Sequence, residues 1–215
     1  MLSDLSIKIE ANEVVGLIGL NGAGKTTLIK TVAGLLPSHR FDSAEWNGHL
    51  FSFRDEAFKR NRYIVFSEDR SFQYFTFQEY LAYAAASYGV PVPEASELIK
   101  GFHFEDYTHV LLKELSTGNL KKVYLITAFA LRPKLLLLDE PVNGLDFQST
   151  EYLYGLINGY RQYGTVLFSS HILESICLTS DRVIVLEQGR ISRIFSGGDI
   201  TAGNIREVLK VDDGI

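Results

Sequence analysis

At 215 residues with a net charge of −5, the chain has the size of one domain and lacks the basic footprint of a nucleic-acid binder, so no nucleic-acid partner is expected. Its balance of 46% hydrophobic and 22% charged residues is that of an ordinary globular protein. A single cysteine, Cys177, excludes an internal disulfide, and no apolar run reaches the about 18 residues that cross a bilayer, so a cytoplasmic chain is expected.

In chain order, Val14–Ile18 is a short apolar run that passes straight into Gly19. Helix-forming residues follow over 26–33 and stop at Gly34, with Pro37 just beyond. Residues 63–67 are rich in strand formers. From 72 to 88 the chain turns aromatic and then helical, with Phe77, Leu81, Ala84 and Tyr88 at helical spacing. Pro91 and Pro93 end that helix, and a second short one is expected over 94–100. Another helix is expected from Ser116 to Leu131, stopping before Pro133.

Leu135–Leu138 is four leucines in a row, the composition of a strand buried on both faces of a parallel sheet. Thr165–Ser169 and residues 183–186 read as further strands, with a helix over 172–178 between them. Gln188 and Gly189 mark a turn, and 191–195 completes a hairpin. Residues 199–215 read as a helix with an acidic tail. Alternating strands and helices predict an α/β fold with a mostly parallel sheet. The core is expected at 1–69 and 116–215, and a mostly helical insertion at 70–115.

Gly19, Leu20, Asn21, Gly22, Ala23, Gly24, Lys25 and Thr26 match the G-x-x-x-x-G-K-[ST] P-loop, and Thr27 follows in the same turn. Glycines let the backbone curl so that successive N–H groups point inward, and the next helix adds its positive end. Lys25 is expected to reach the β- and γ-phosphates and the Thr26 hydroxyl to ligate Mg²⁺. Asp139, at the end of the leucine strand, is expected to hold the same ion directly or through water. Glu140 comes next and is expected to face the γ-phosphate as a general base. Ser116 and Gly118 open a helix, where a hydroxyl and free N–H groups make a second anion site. Alone, such a serine is an ordinary helix cap; its place just upstream of 135–140 changes its reading.

The order of these segments resembles the nucleotide-binding subunit of an ATP-binding cassette (ABC) transporter along almost the whole chain. That family shows a P-loop, a glutamine loop, a Leu-Ser-Gly-Gly-Gln signature, an aspartate-glutamate strand, a D-loop and a switch histidine. Here the matching positions are 19–27, Glu68, 115–119, 135–140, then Asn143, Gly144, Leu145 and Asp146, and His171. The resemblance implies a head-to-tail homo- or heterodimer with ATP and Mg²⁺ between the subunits. Ser116 and Gly118 of one subunit would face the P-loop of the other, and Asp146 would lie at their interface. It gives His171 a contact with the γ-phosphate, beside Glu140 and a water. It also implies a separate transmembrane permease subunit, with this chain on the cytoplasmic face of the membrane.

Three departures accompany the resemblance. The signature carries Thr117 and Asn119, which predicts a slower enzyme. The glutamine is Glu68, still able to meet Mg²⁺, and a glutamate there resembles the branch that exports drugs, lipids or polysaccharides. Residues 2–9 correspond to a strand close to the P-loop, so the family's N-terminal antiparallel part is expected to be reduced and its adenine-stacking aromatic to be missing from its usual place. Two other readings compete: a soluble ABC-type ATPase, and a nucleotide-binding regulatory subunit with weakened catalysis.

Overall fold

The computed structural model describes residues 2–209 apart from 4, 37–42 and 47. A six-stranded sheet forms its centre. The strands are β1 (Val14–Ile18), β4 (Arg62–Val65), β5 (Leu135–Leu138), β6 (Thr165–Ser169), β7 (Arg182–Glu187) and β8 (Arg190–Ser196). Their order is β4-β5-β6-β1-β7-β8, parallel throughout except for the β7–β8 hairpin. A separate antiparallel pair joins β2 (Glu45–Trp46) to β3 (His49–Leu50).

Alternate side chains of each central strand enter two different cores. Leu136, Leu138, Val166 and Phe168 pack on one face with residues of α3 (Phe77–Tyr88), α5 (Thr117–Leu131), α6 (Phe147–Gly159) and α7 (Leu173–Thr179). Leu135, Leu137, Leu167 and Val15 pack on the other with α1 (Lys25–Val32) and Phe58 of α2 (Glu56–Asn61). This double burial is why β5 is leucine at every position and shows no alternation. Each such leucine contributes about 1.5–3 kcal/mol through burial.

Local chemistry sets the helix ends. Thr76 and Glu79 form a reciprocal capping box at the start of α3, and Gly89 ends it at a φ of 70°. Helix α4 (Ser96–Gly101) begins two residues later than the proline pattern predicts, because the Glu94 carboxylate accepts from the amides of Ala95 and Ser96 at 3.0 and 2.8 Å. Strand β4 ends at Val65, short of the predicted Ser67. Among the described residues of 2–9 there is no strand: half-buried and exposed side chains alternate from Leu5 to Ile9, and the Ser3 N–H bonds Gly189 O at 3.2 Å. Gly34 follows α1 at a φ of 68° as expected, whereas Pro37 and the acidic tail lie outside the described residues.

Four elements were not legible in the sequence: β2, β3, α2 and α6. In α6 two glycines weaken the helical signal, and its buried stripe is only Ser149, Leu153 and Ile157, one residue per turn. A last helix, α8 (Ala202–Leu209), buries Ile205 and Leu209. No helix among the described residues is long and apolar enough to cross a membrane.

Candidate nucleotide-binding site

The carboxyl ends of β4, β5, β6 and β1 lie side by side, and the residues that follow them form one cluster. Strand β1 runs into the P-loop, where Gly22 and Gly24 take φ values of 83° and 106° that only glycine adopts without strain. At Gly19 a β-carbon would stand 2.3 Å from Leu186 O, so the loop can pass β7 only as glycine. Leu28 makes the first hydrogen bond of α1, to Gly24 O at 2.8 Å, which leaves the amides of its first turn without intrahelical acceptors. These amides and the helix dipole make the loop a ready anion site. Lys25 is buried, its Nζ 2.7 Å from Gly19 O and 3.7 Å from Glu140 Oε1.

Asp139 leaves β5 with its N–H on Val65 O at 2.8 Å and is 1% exposed. Its carboxylate accepts from the Thr26 hydroxyl, at 3.1 and 2.9 Å, and from the Ser169 hydroxyl at 2.8 Å. Thr26 and Asp139 thus present hard oxygen donors side by side, the donor set that Mg²⁺ takes alongside phosphate oxygens and water. Glu140 turns away at a φ of 47°, a left-handed conformation that costs a non-glycine residue about 1–3 kcal/mol. Two contacts hold it there: its N–H bonds Ser169 Oγ at 2.9 Å, and His171 Nδ1 lies 2.8 Å from its Oε2. Ser169, at the end of β6, therefore orients both acidic residues. Sequence reasoning missed it; a hydroxyl closing a buried Leu-Phe strand was the only signal.

Glu68 follows β4 on the same edge of the sheet. Its side chain is exposed and makes no hydrogen bond or ion pair with Thr26, Asp139 or Glu140.

The segment 115–119 and the loop 143–146 form a second cluster. Ser116 caps α5 by accepting from the Asn119 N–H at 3.2 Å, and its own O–H remains able to donate. Asp146 caps α6 through the Ser149 amide at 2.8 Å and pairs with the buried Lys122 ammonium, also at 2.8 Å. The Lys122 hydrogen bond, followed by the Ser149 amide, holds the Asp146 carboxyl well below the usual carboxylate range. Within the single chain no hydrogen bond or ion pair among the described residues joins Ser116, Gly118 or Asp146 to the P-loop.

Comparison with known proteins identifies the family. The family model described as ABC transporter matches residues 2–143. The putative ABC transporter ATP-binding protein AlbC of Bacillus subtilis (strain 168) is 34% identical over 208 residues, which cover 94% of this chain and 87% of that protein. A solved ATP-binding subunit of an ABC transporter superimposes with a TM-score of 0.83 at 30% identity, over 92% of this chain and 84% of the other. A dimeric bacterial ABC transporter cassette shares the fold, with a TM-score of 0.80 at 20% identity, over 91% and 90% of the two chains. Similarity that extends along nearly the whole chain, to proteins of similar length and with the same site-bearing fold, shows that this chain belongs to the ABC transporter family as an ATP-binding subunit.

Proposed function

We propose that the chain hydrolyses ATP with Mg²⁺ as a head-to-tail dimer and powers transport, in the export direction, through a separate membrane permease. The observation that carries this reading is the convergence of Lys25, Glu140 and His171 on one point beside Asp139 and Thr26. Lys25 and the first amides of α1 hold the phosphates and neutralise their charge. Thr26 and Asp139 would hold Mg²⁺, which would supply positive charge to offset that of the phosphates. Glu140 takes a proton from the attacking water, and His171 fixes the carboxylate that does so. Glu68 contributes to the metal side as its loop approaches the nucleotide.

Ser116, Gly118 and Asp146 serve the partner's nucleotide across the dimer, a role supported by their separation from this chain's own P-loop. A solved bacterial cassette of similar fold is dimeric, which supports a dimeric state for this chain. Export rests on the glutamate at position 68. The exposed aromatic rings of Phe72, Tyr74 and Tyr83 in the 70–115 insertion supply the surface that a permease would meet, on the cytoplasmic face of the membrane.

Glu140→Gln, run beside the wild type, tests this reading. The expected result is unchanged ATP binding, lost turnover and an ATP-stabilised dimer by light scattering. A mutant that turned over at the wild-type rate would remove Glu140 from catalysis. A wild type that binds ATP without turnover would favour the regulatory-subunit reading, to which Thr117 and Asn119 already lend support.

A further inference from the structure

Lys121 lies on α5, the helix that Ser116 caps, and its side chain is almost completely buried. Its ammonium donates to the carbonyl oxygens of Phe66 at 2.5 Å and Ser67 at 2.7 Å. These two residues follow the end of β4 and immediately precede Glu68. Because β4 is the outermost strand of the sheet, its exit loop has a strand on one side only. One helical turn further along α5, the Tyr124 hydroxyl donates to Ser71 O at 3.0 Å. Positions 121 and 124 share a face of the helix, so one face of α5 grips both ends of the loop that carries Glu68.

A buried ammonium is an expensive way to fill space, since a well-packed apolar side chain of similar volume is often neutral or stabilising at such a site. Burial lowers the Lys121 pKa to about 8, against the pull of Asp139, Asp69, Glu140 and Glu68, which favour its charged form. Those four carboxylates offset the burial only in part, and the two hydrogen bonds of the ammonium are spent on backbone. Bonds from a side chain to the loop's own carbonyls specify where the loop sits.

We infer that Lys121 is a positioning residue that locks the Glu68 loop to the signature helix, so that Glu68 at its own nucleotide and Ser116 at the partner's move as one body. The inference rests on the proposed dimeric ATPase reading for its consequence, and on the hydrogen bonds alone for the lock. Ser116 and Lys121 are five residues apart on one helix, about 7.5 Å along its axis, so a displacement of either end reaches the other without a hinge.

The test compares the wild type with Lys121→Met, which keeps volume and removes both donors, with Lys121→Arg, which keeps donors, and with Tyr124→Phe. Amide hydrogen exchange over 66–71 and 116–120 is measured on the nucleotide-free chain, together with steady-state ATP turnover. Lys121→Met is expected to speed exchange over 66–71 about tenfold while the central strands keep their protection. Its kcat is expected to fall about tenfold with KM changed less than about threefold, and its ATP dependence to lose cooperativity. Lys121→Arg should recover most of both, and Tyr124→Phe should loosen only the Ser71 end of the loop. Unchanged exchange over 66–71 in a folded Lys121→Met would overturn the inference. So would exchange that rises evenly across the sheet with no rescue by arginine, because that pattern belongs to general packing. If Lys121→Met does not fold, the contrast between wild type, Lys121→Arg and Tyr124→Phe over 66–71 decides. A wild type without turnover would sink the ATPase reading, and the exchange data would still decide the lock.

Discussion

A β-carbon on Gly118 would stand 2.3 Å from the carbonyl oxygen of Gly144. The helix start that carries Ser116 and the loop that carries Asp146 are thus in backbone contact within one chain. The Lys122–Asp146 ion pair closes the same junction from the side-chain direction. Gly118 is required by this packing before any phosphate is considered.

Gly118→Ala is therefore expected to destabilise the nucleotide-free monomer by about 1–3 kcal/mol, the range of overpacked sites. A thermal melt without nucleotide checks this, and a melting temperature equal to that of the wild type would show that the loop yields freely. Gly155→Ala, with nothing within 4 Å of the added carbon, is the control and should leave the melt unchanged or raise it slightly.

The Asp146 carboxyl titrates below its ordinary value in the folded chain. A depressed folded value means that its contribution to stability is present above the unfolded value of about 4 and fades as pH falls through and below it. Asp146→Asn should therefore be less stable than the wild type at neutral pH, with the gap beginning to narrow once the pH falls below about 4. Urea midpoints at several pH values give the comparison. A gap that stayed constant with pH would mean that the cap, and not the charge, carries the effect.

Ser169→Ala leaves the Glu140 amide and one side of the buried Asp139 carboxylate without their partner. The expected loss of stability is about 1–3 kcal/mol by chemical denaturation. Turnover should fall further than stability suggests, because Glu140 loses one of the two contacts that hold its left-handed backbone. An unchanged kcat in a destabilised Ser169→Ala would show that Ser169 is not needed to place the Glu140 carboxylate.

Chelation of divalent metal should abolish turnover, and Thr26→Ala and Asp139→Asn should each raise the Mg²⁺ concentration needed for half-maximal rate. The donors at these positions are hard oxygens within 3.1 Å of one another. Turnover that survived chelation would remove the metal from the reaction.

Leu136→Ala removes a fully buried side chain from the middle of β5 and should destabilise the fold by about 2–5 kcal/mol with the site chemistry untouched. An equilibrium unfolding curve with an unchanged slope and a lower midpoint is the expected record.

Residues adjacent along the chain were readable from the sequence alone. The P-loop is one contiguous turn whose glycine, lysine and threonine requirements are local, so its conformation and its place between β1 and α1 follow from residues 14–33. The same holds for the leucines of β5, whose lack of alternation reports burial on both faces, and for the helix that starts at Ser116. Helix α6 escaped because Gly155 and Gly159 weaken its helical signal, and residues 2–9 read as a strand because alternation alone does not supply a pairing partner.

What only the tertiary structure decided is which distant side chains meet. The strand order brings Ser169 to Asp139 and His171 to Glu140 across about thirty residues of chain, and Lys121 to the carbonyls of Phe66 and Ser67 across 55 and 54. Neither spacing nor periodicity encodes such pairings, because they arise when parallel strands with long crossovers are packed edge to edge and their carboxyl ends are aligned. Residue type and order picked out the P-loop and the acidic residues after β5; the orientation of those carboxylates came from the sheet.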